Sequence, residues 1–594
     1  MRKREFSIGS ILFLAVLLAG LLPGSTARAG SSFWYGGDIT EVFDLMPASF
    51  LFPNAADNLQ TCLSDPTIGL PMGPVMSMMV GFDNLGGDER GFQMWEQGET
   101  WDGYTLLSIL PGKPCTENPA LAGQICSAVL IDMDGSLVHE WPGVTFPAKM
   151  LPNGDVMMGY DINRETENIS ELVQYDWCDE KVWSFNLAAE SLGGGVLEDD
   201  LWQTDYGITN CGAPGPPIGT IPDGSAICTG GLFPGPPVTA IYLKNPGDDV
   251  PIGWHHDFQR EGSATGYYSP GAGAMASGKS LILSMTYPDR AETPEIGGPF
   301  RLADDTIYEV DADGNLLFRW YARDHIEEFG FTEDDRETLR NNPWPAYSDM
   351  STDYTHFNNV NKVGNNIRYD NGDIRFHPDN IIFDSRSLNI AGIIARHDFP
   401  SHGISEGDIV WKIGPYYKDG FPENKLGQII GMHHLHMIQQ GLPGAGNMLV
   451  FDNGGGAGVG PLIEGLPGTI FNTMRYYSRV IEFNPVTMEV VWEYTNKEAG
   501  DANGEDQRKF FSAFISSAQR LKNGNTLITE GAGGRVFEVT PDKRIVWEYY
   551  NEYNCLMAPG CPAEGTGLGF LGGWAVYRAY RIPYKWKPKK ISCD

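Results

Sequence analysis

The sequence is poor in positive charge and in cysteine, and it lacks long apolar runs after its first thirty residues. Lys and Arg number 42 against 76 Asp and Glu, which gives a formal net charge of -34. This excess of negative charge disfavours binding to nucleic acid or to anionic lipid. No later stretch reaches the roughly eighteen apolar residues of a membrane span. These scarcities argue against nucleic-acid and membrane partners and predict a soluble globular protein.

The chain has nine cysteines and no Cys-x-x-Cys pair, which argues against a zinc ribbon. Disulfides are the expected state of cysteines in an exported protein. Three pairings would each close a short loop rich in Pro and Gly: Cys115 with Cys126, Cys211 with Cys228, and Cys555 with Cys561. Connectivity does not follow from sequence, and the odd count leaves at least one thiol outside such pairs.

The first residues have the pattern of an export signal. Basic residues at positions 2–4 precede a short apolar core at 8–22, and Ala27-Arg28-Ala29 is typical of a cleavage site. We therefore predict that residues 1–29 are a signal peptide. The mature protein would then be periplasmic or secreted.

One repeated unit accounts for much of the remaining chain. Each copy alternates apolar and polar residues, turns at an Asn/Asp-Gly or Asn-Pro pair and ends in a strand that carries Trp; the copies lie at 128–141, 305–320, 479–494 and 534–549. Such turns suit tight hairpins. Repeated antiparallel units can bury both faces by packing around an axis. We predict an all-β, six-bladed β-propeller at 102–594 with long inter-strand loops, preceded by a small N-terminal extension or β-rich cap at 30–101.

Three of the eleven histidines fall within 433–436. If this stretch is a strand, alternation places His434 and His436 on one face and His433 on the other. Three further stretches put His or Arg beside strand-like sequence, at 254–258, 353–358 and 383–387. The innermost strands of a propeller line a central funnel, so these stretches can converge there. Together they predict a site for a compact anion.

At these residues the chain resembles the bacterial aryl sulfate sulfotransferases, which work without the nucleotide sulfate donor. The resemblance covers about 129–549, and its marks are His255-His256-Asp257, Thr355-His356-Phe357-Asn358, Ser385-Arg386, and the histidine stretch that leads to Phe451-Asp452-Asn453-Gly454. It implies a periplasmic six-bladed propeller. It also implies transfer of a sulfuryl group from a phenolic sulfate ester to a phenol through a sulfated histidine, with ping-pong kinetics and with no cofactor or metal.

The resemblance also implies roles for single residues. The nucleophile would be His434. His436 is the alternative, because the family's reactive histidine can be aligned with this stretch in registers that differ by one or two residues. The remaining catalytic candidates are His356, His256 and Arg386, and the substrate-binding candidates are Asn358 and His255. A neutral imidazole is a good nucleophile near pH 7. Guanidinium and amide groups match the oxygens of the sulfuryl group.

Two other functions are compatible with the same residues. A metal-dependent propeller enzyme would use the histidines as ligands, since imidazole clusters suit Zn or Cu. A non-catalytic propeller would bind a ligand or a protein partner, since the fold alone does not fix function. The sequence does not identify the natural donor or acceptor, and it leaves a homodimer open.

Overall fold

The computed structural model describes residues 90–143, 147–159, 171–189, 217–220, 226–228, 241–243, 253–261, 278–286, 304–333, 336, 354–417, 420–455, 475, 477–500, 509–553, 574–589 and 593. The chain divides into two units, 1–76 and 77–594, and all described residues belong to the second unit. The predicted signal peptide and most of the predicted extension at 30–101 lie outside the described residues. The boundary at 101 stays a prediction.

Almost all regular structure is β-sheet. The strands are β1 (Gly91–Trp95), β2 (Tyr104–Pro114), β3 (Ile125–Ile131), β4 (Leu137–Pro142), β5 (Lys149–Met150), β6 (Val156–Gly159), β7 (Glu171–Tyr175), β8 (Lys181–Ala189), β9 (Pro217–Thr220), β10 (Ala226–Cys228), β11 (Ile241–Leu243), β12 (Gly253–Arg260), β13 (Ser280–Thr286), β14 (Asp304–Val310), β15 (Leu316–Tyr321), β16 (Phe357–Lys362), β17 (Ile381–Ser385), β18 (Ile390–Ile394), β19 (Ile409–Ile413), β20 (His433–Met437), β21 (Met448–Asp452), β22 (Arg479–Phe483), β23 (Val490–Tyr494), β24 (Ser517–Arg520), β25 (Thr526–Glu530), β26 (Arg535–Val539), β27 (Ile545–Tyr550) and β28 (Val576–Ile582).

Helical structure is limited to single turns among the described residues. One α-helical turn is α1 (Ile367–Asp370), and Glu333 and Arg336 are also helical, with the Arg336 N–H donating to the carbonyl of Thr332 at 3.0 Å. The 3-10 turns are Pro119–Leu121, Ala322–His325, Ile374–Phe376, Pro400–His402, Pro422–Leu426 and Tyr584–Trp586. No helix among the described residues is long and apolar enough to cross a membrane.

Six sheets form the blades of a propeller, and their strands pair antiparallel except β11, which pairs parallel with β8. Blade 1 is β28-β2-β3-β4, blade 2 is β5 to β8 with β11 at its edge, blade 3 is β12 to β15, blade 4 is β16 to β19, blade 5 is β20 to β23, and blade 6 is β24 to β27 with β1 at its edge. The inner strands β12, β16, β20, β24 and β28 pack beside one another in that order. The predicted all-β, six-bladed fold is confirmed.

The ring is closed by a strand from the far end of the chain. β28 pairs antiparallel with β2, with Tyr104 opposite Ile582, so the C-terminal strand is the innermost strand of the first blade. A disulfide between Cys178 and Cys593 ties the following tail to the β7–β8 turn. The predicted Cys115–Cys126 disulfide is confirmed. The other two predicted pairings lie outside the described side chains.

A tryptophan in the fourth strand of each blade, counted from the centre of the ring, connects that blade to the next. Its indole N–H donates to a backbone carbonyl in a loop or turn of that neighbour. The six bonds are Trp141 to Asp176 (3.0 Å), Trp183 to Ala312 (3.4 Å), Trp320 to Gly407 (2.9 Å), Trp411 to Pro485 (2.8 Å), Trp492 to Pro541 (2.9 Å) and Trp547 to Met133 (2.7 Å). The sixth bond returns to blade 1. The tryptophan of each repeat therefore belongs to a strand of its own blade and also links neighbouring blades around the ring.

Candidate functional site

Three neighbouring inner strands carry a histidine in left-handed backbone. The φ angles are 57° at His256, 44° at His356 and 58° at His434. Each residue lies at or beside a shift in the pairing register of β12, β16 or β20. Positive φ is uncommon outside glycine, and such strain is concentrated at functional sites. Blades 3, 4 and 5 therefore each have a left-handed histidine in or directly before the irregular part of the inner strand.

Carboxylates of the preceding blade hold two of these bulges in place. The backbone N–H of Phe357, directly after His356, donates to Asp305 Oδ2 at 2.7 Å. The N–H of Leu435, directly after His434, donates to Asp384 Oδ2 at 2.7 Å. Since a ladder bond is lost at each bulge, these carboxylates satisfy a backbone donor that would otherwise be buried without an acceptor.

His256 and His356 lie side by side and are partly exposed to solvent. Their ring centroids are 4.7 Å apart. His255 lies behind them, with Nδ1 2.8 Å from His256 Nδ1 and Nε2 2.9 Å from Asp305 Oδ1. His256 therefore faces the funnel with His356, and His255 is buried as its support.

The three histidines of β20 differ in their contacts. His433 uses both ring nitrogens, because Nε2 accepts from the backbone N–H of Ile515 at 3.0 Å and Nδ1 lies 2.7 Å from Asn453 Oδ1. The rings of His434 and His436 lie next to each other, with centroids 4.5 Å apart. His436 Nδ1 is 2.9 Å from the carbonyl oxygen of His434. His433 is thus fixed on both sides, and the pair His434–His436 forms a second group of imidazoles.

Burial keeps these rings neutral. It is the largest cause that lowers the pKa of His256, His433 and His434 well below the usual value. The charge of Arg386 lowers the pKa of His433 further, and His436 with Arg578 does the same for His434. Burial lowers the pKa of His436 to about 4. At neutral pH the imidazoles therefore keep the lone pairs that nucleophilic or general-base chemistry needs.

Arg386 and Asn358 are buried beside the histidines. The backbone N–H of Arg386 donates to the carbonyl of His356 at 3.0 Å, which fixes the β17–β18 turn against the start of β16. Arg386 is 4% exposed. The side-chain Nδ2 of Asn358 donates to the carbonyl of Met432 at 3.1 Å and so ties β16 to the start of β20. Both predicted anion-binding residues thus belong to the same cluster as the histidines.

The sequence did not single out the residues that β28 adds to the site. Arg578 is fully buried, and its Nη1 lies 3.0 Å from Asp257 Oδ2. The other oxygen of Asp257 binds Lys149 Nζ at 2.6 Å. Tyr577 and Tyr580 place their rings 6.1 Å from His256 and 5.9 Å from His434. Only apolar patterning marks 576–582 as a strand, and nothing in it ranks Arg578 above the other arginines.

Groups of possible metal ligands lie at two places among the described residues. Among the described residues, two groups of His, Cys, Asp or Glu bring three ligand atoms within 4.8 Å of one another: Cys115, Cys126 and Glu140, and His377, Asp379 and His397. The first contains a disulfide. Neither of these two groups includes a histidine of the funnel.

Comparisons with solved structures find remote similarities. A protein of unknown function from Bacteroides caccae shares 9% identity, with 81% of this chain and 99% of that chain covered and a TM-score of 0.36. A putative 6-phosphogluconolactonase from Bacteroides fragilis shares 8% identity, with 76% and 95% covered and a TM-score of 0.29. The Dos1 propeller shares 8% identity, with 77% and 74% covered and a TM-score of 0.25. No curated protein matches the chain.

The match that bears on function is to a protein family. Residues 267–553 match the family described as Arylsulfotransferase (ASST). This segment contains His356, Asn358, Arg386 and the histidines of β20, whereas His255 and His256 lie before it and β28 lies after it. The sequence marks agree with this match over 267–553, and together they support the arylsulfotransferase family for this chain.

Proposed function

We propose that the protein is an exported aryl sulfotransferase that moves a sulfuryl group from a phenolic sulfate ester to a phenol through a covalent intermediate on His434. The observation that carries the proposal is the backbone conformation of His434, which is the third histidine with a positive φ at the funnel. His434 has in blade 5 the left-handed backbone that His256 and His356 have in blades 3 and 4. His433 already uses both nitrogens, which disfavours it as the nucleophile.

In the first half-reaction, the lone pair of neutral His434 attacks sulfur. The N–S bond forms as the S–O bond to the aryl group breaks, and the phenolate leaves with the electron pair of that bond. His356, beside His256 at the partly exposed end of the cluster, is the proposed donor of the proton that the phenolate takes up. The negative charge of a bound sulfate ester favours protonation of a neighbouring imidazole.

In the second half-reaction, a phenol oxygen attacks the same sulfur and the N–S bond breaks. The phenol proton passes to the base that had served as acid, and His434 returns to its neutral form. The developing charge on the sulfuryl oxygens would be stabilised by Arg386, which is almost fully buried and therefore poorly screened by water. The proposed order, donor first and acceptor second, gives ping-pong kinetics.

Two observations support export. Residues 1–29 have the three parts of a signal peptide. The Cys115–Cys126 and Cys178–Cys593 disulfides fit an oxidising compartment, because disulfides are rare where thiols are kept reduced.

Mass spectrometry of the protein after incubation with an aryl sulfate alone tests the intermediate. We expect one added SO₃ group, located on His434 by peptide fragmentation. His434→Ala should lose the adduct and lower turnover by a factor on the order of 10³ or more. The matched variant His436→Ala should keep the adduct. A chromogenic donor should release its phenol faster when a second phenol is added.

Three outcomes would contradict parts of the proposal. An adduct on His436 would move the nucleophile by two residues. Full turnover without any adduct would indicate direct transfer between bound donor and acceptor. Phenol release that is independent of the acceptor would indicate hydrolysis in place of transfer.

A further inference from the structure

A second group of metal-ligating residues lies at the end of blade 4 opposite to the funnel histidines. β16 starts next to His356 and ends at Lys362, and β17 returns to Arg386. The β16–β17 loop and the β18–β19 loop therefore lie at the far end of strands that span about 20 Å. These two loops contribute His377, Asp379 and His397, which we call the His-Asp-His cluster.

The three side chains already point to one place. One ligand atom of each lies within 4.8 Å of the other two. His397 Nε2 is 2.9 Å from Asp379 Oδ2. His377 Nδ1 accepts from the backbone N–H of Asp379 at 3.2 Å, and this bond holds the ring of His377 beside Asp379. Two imidazoles and one carboxylate thus converge from two separate loops.

The surroundings orient the cluster and leave it accessible. The edge of Tyr369 packs against His377 with ring centroids 4.8 Å apart, and Phe399 lies 5.5 Å from the same ring. The side chains of Asp379 and His397 are 59% and 47% exposed. The nearby ammonium of Lys362 is paired with Glu309 and donates to the backbone carbonyl of Asp379, so its charge lies beside the cluster without an ion pair to the Asp379 carboxylate.

We propose that the His-Asp-His cluster is a binding site for a divalent transition-metal ion that joins the two loops. Imidazole and carboxylate together suit Zn²⁺, Co²⁺ or Ni²⁺, and exposed sites of this composition keep water in the remaining positions. Binding would replace the proton between His397 Nε2 and Asp379 Oδ2, and that proton would pass to solvent. The site is separate from the sulfuryl-transfer histidines, and the inference does not depend on the proposed reaction.

Calorimetric titration of the chelator-treated, full-length protein with Zn²⁺ and with Co²⁺ tests the inference. The wild type should bind one equivalent and melt at a higher temperature when Zn²⁺ is present. His377→Ala and His397→Ala should lose this binding and the shift. His402→Ala is the matched control, because His402 is an exposed histidine of the same β18–β19 loop, and it should bind as the wild type does. Co²⁺ should give a visible spectrum that the two cluster variants lack.

Without metal, His397→Ala should melt at the same temperature as the chelator-treated wild type, which shows that the variant is folded. Equal Zn²⁺ binding by the wild type and by the His377→Ala/His397→Ala double variant would overturn the inference. Loss of binding in His434→Ala, with binding retained in His397→Ala, would also overturn it and would assign the metal to the funnel histidines.

Discussion

Backbone conformation decides which histidines meet. A regular β20 would place His434 and His436 on one face by alternation, and the two rings do lie together. The same rule places His433 away from the site, yet the charges of Arg386 and His356 act on His433. The reason is the register shift between His433 and His436 and the positive φ at His434. A two-residue period cannot anticipate a bulge, because bulges depend on partners in another blade.

The buried imidazoles make stability depend on pH. Burial lowers the pKa of His436 to about 4 in the folded protein, whereas the unfolded chain keeps the usual value near 6.5. Between these values the unfolded state binds more protons, so the free energy of unfolding falls as the pH falls through this window. One such group contributes a slope of up to about 1.4 kcal/mol per pH unit.

His436→Gln should therefore flatten the acid side of the stability profile. Urea unfolding at about pH 7 and about pH 5 should give a smaller difference for the variant than for the wild type. Asp384, whose pKa burial raises to about 8, acts in the opposite direction, but both proteins contain it and the comparison cancels its effect. The same pH slope in both proteins would show that His436 is not buried in its neutral form.

At the scale of strands, the sequence predicted hairpins best where the same pattern recurs in several blades. The predicted units at 305–320 and 534–549 became hairpins β14–β15 and β26–β27, with Asp311 Oδ1 accepting from two backbone N–H groups of its turn. These local signals are strong because turns depend on neighbouring residues. The role of β28 was not predictable in this way, because Arg578 reaches Asp257 only after ring closure.

The tryptophan bonds between blades should differ in strength according to burial. Trp547 is fully buried and donates to the carbonyl of Met133, so Trp547→Phe should lower the free energy of unfolding by about 1–3 kcal/mol for the lost bond. Trp492 donates to Pro541 at the surface, where water can replace the indole, so Trp492→Phe should cost less than about 1 kcal/mol. Urea unfolding of both variants checks this, and equal losses would contradict it.

At the scale of the whole molecule, ring closure brings distant segments to one site. The family match covers 267–553, yet Lys149, Asp257 and Arg578 all lie outside it and form the charged group beside His434. Both cations lower the pKa of His434. A segment that contained only the family match would lack these residues and the closing strand. The charged group beside His434 therefore forms only when the complete ring is present.

The overall charge should act on an anionic donor before it reaches the site. Acidic residues exceed basic ones by 34, and the buried cations Lys149 and Arg578 are paired with Asp257. The long-range field around the protein is therefore negative and repels an aryl sulfate.

Salt screens such repulsion over a distance of about 10 Å at 0.1 M. On the proposed reaction, kcat/KM for the aryl sulfate should rise with ionic strength, whereas kcat/KM for an uncharged phenol acceptor should stay constant. Steady-state rates across a salt series measure both. A decrease for the donor would instead show that the cations of the funnel dominate the approach.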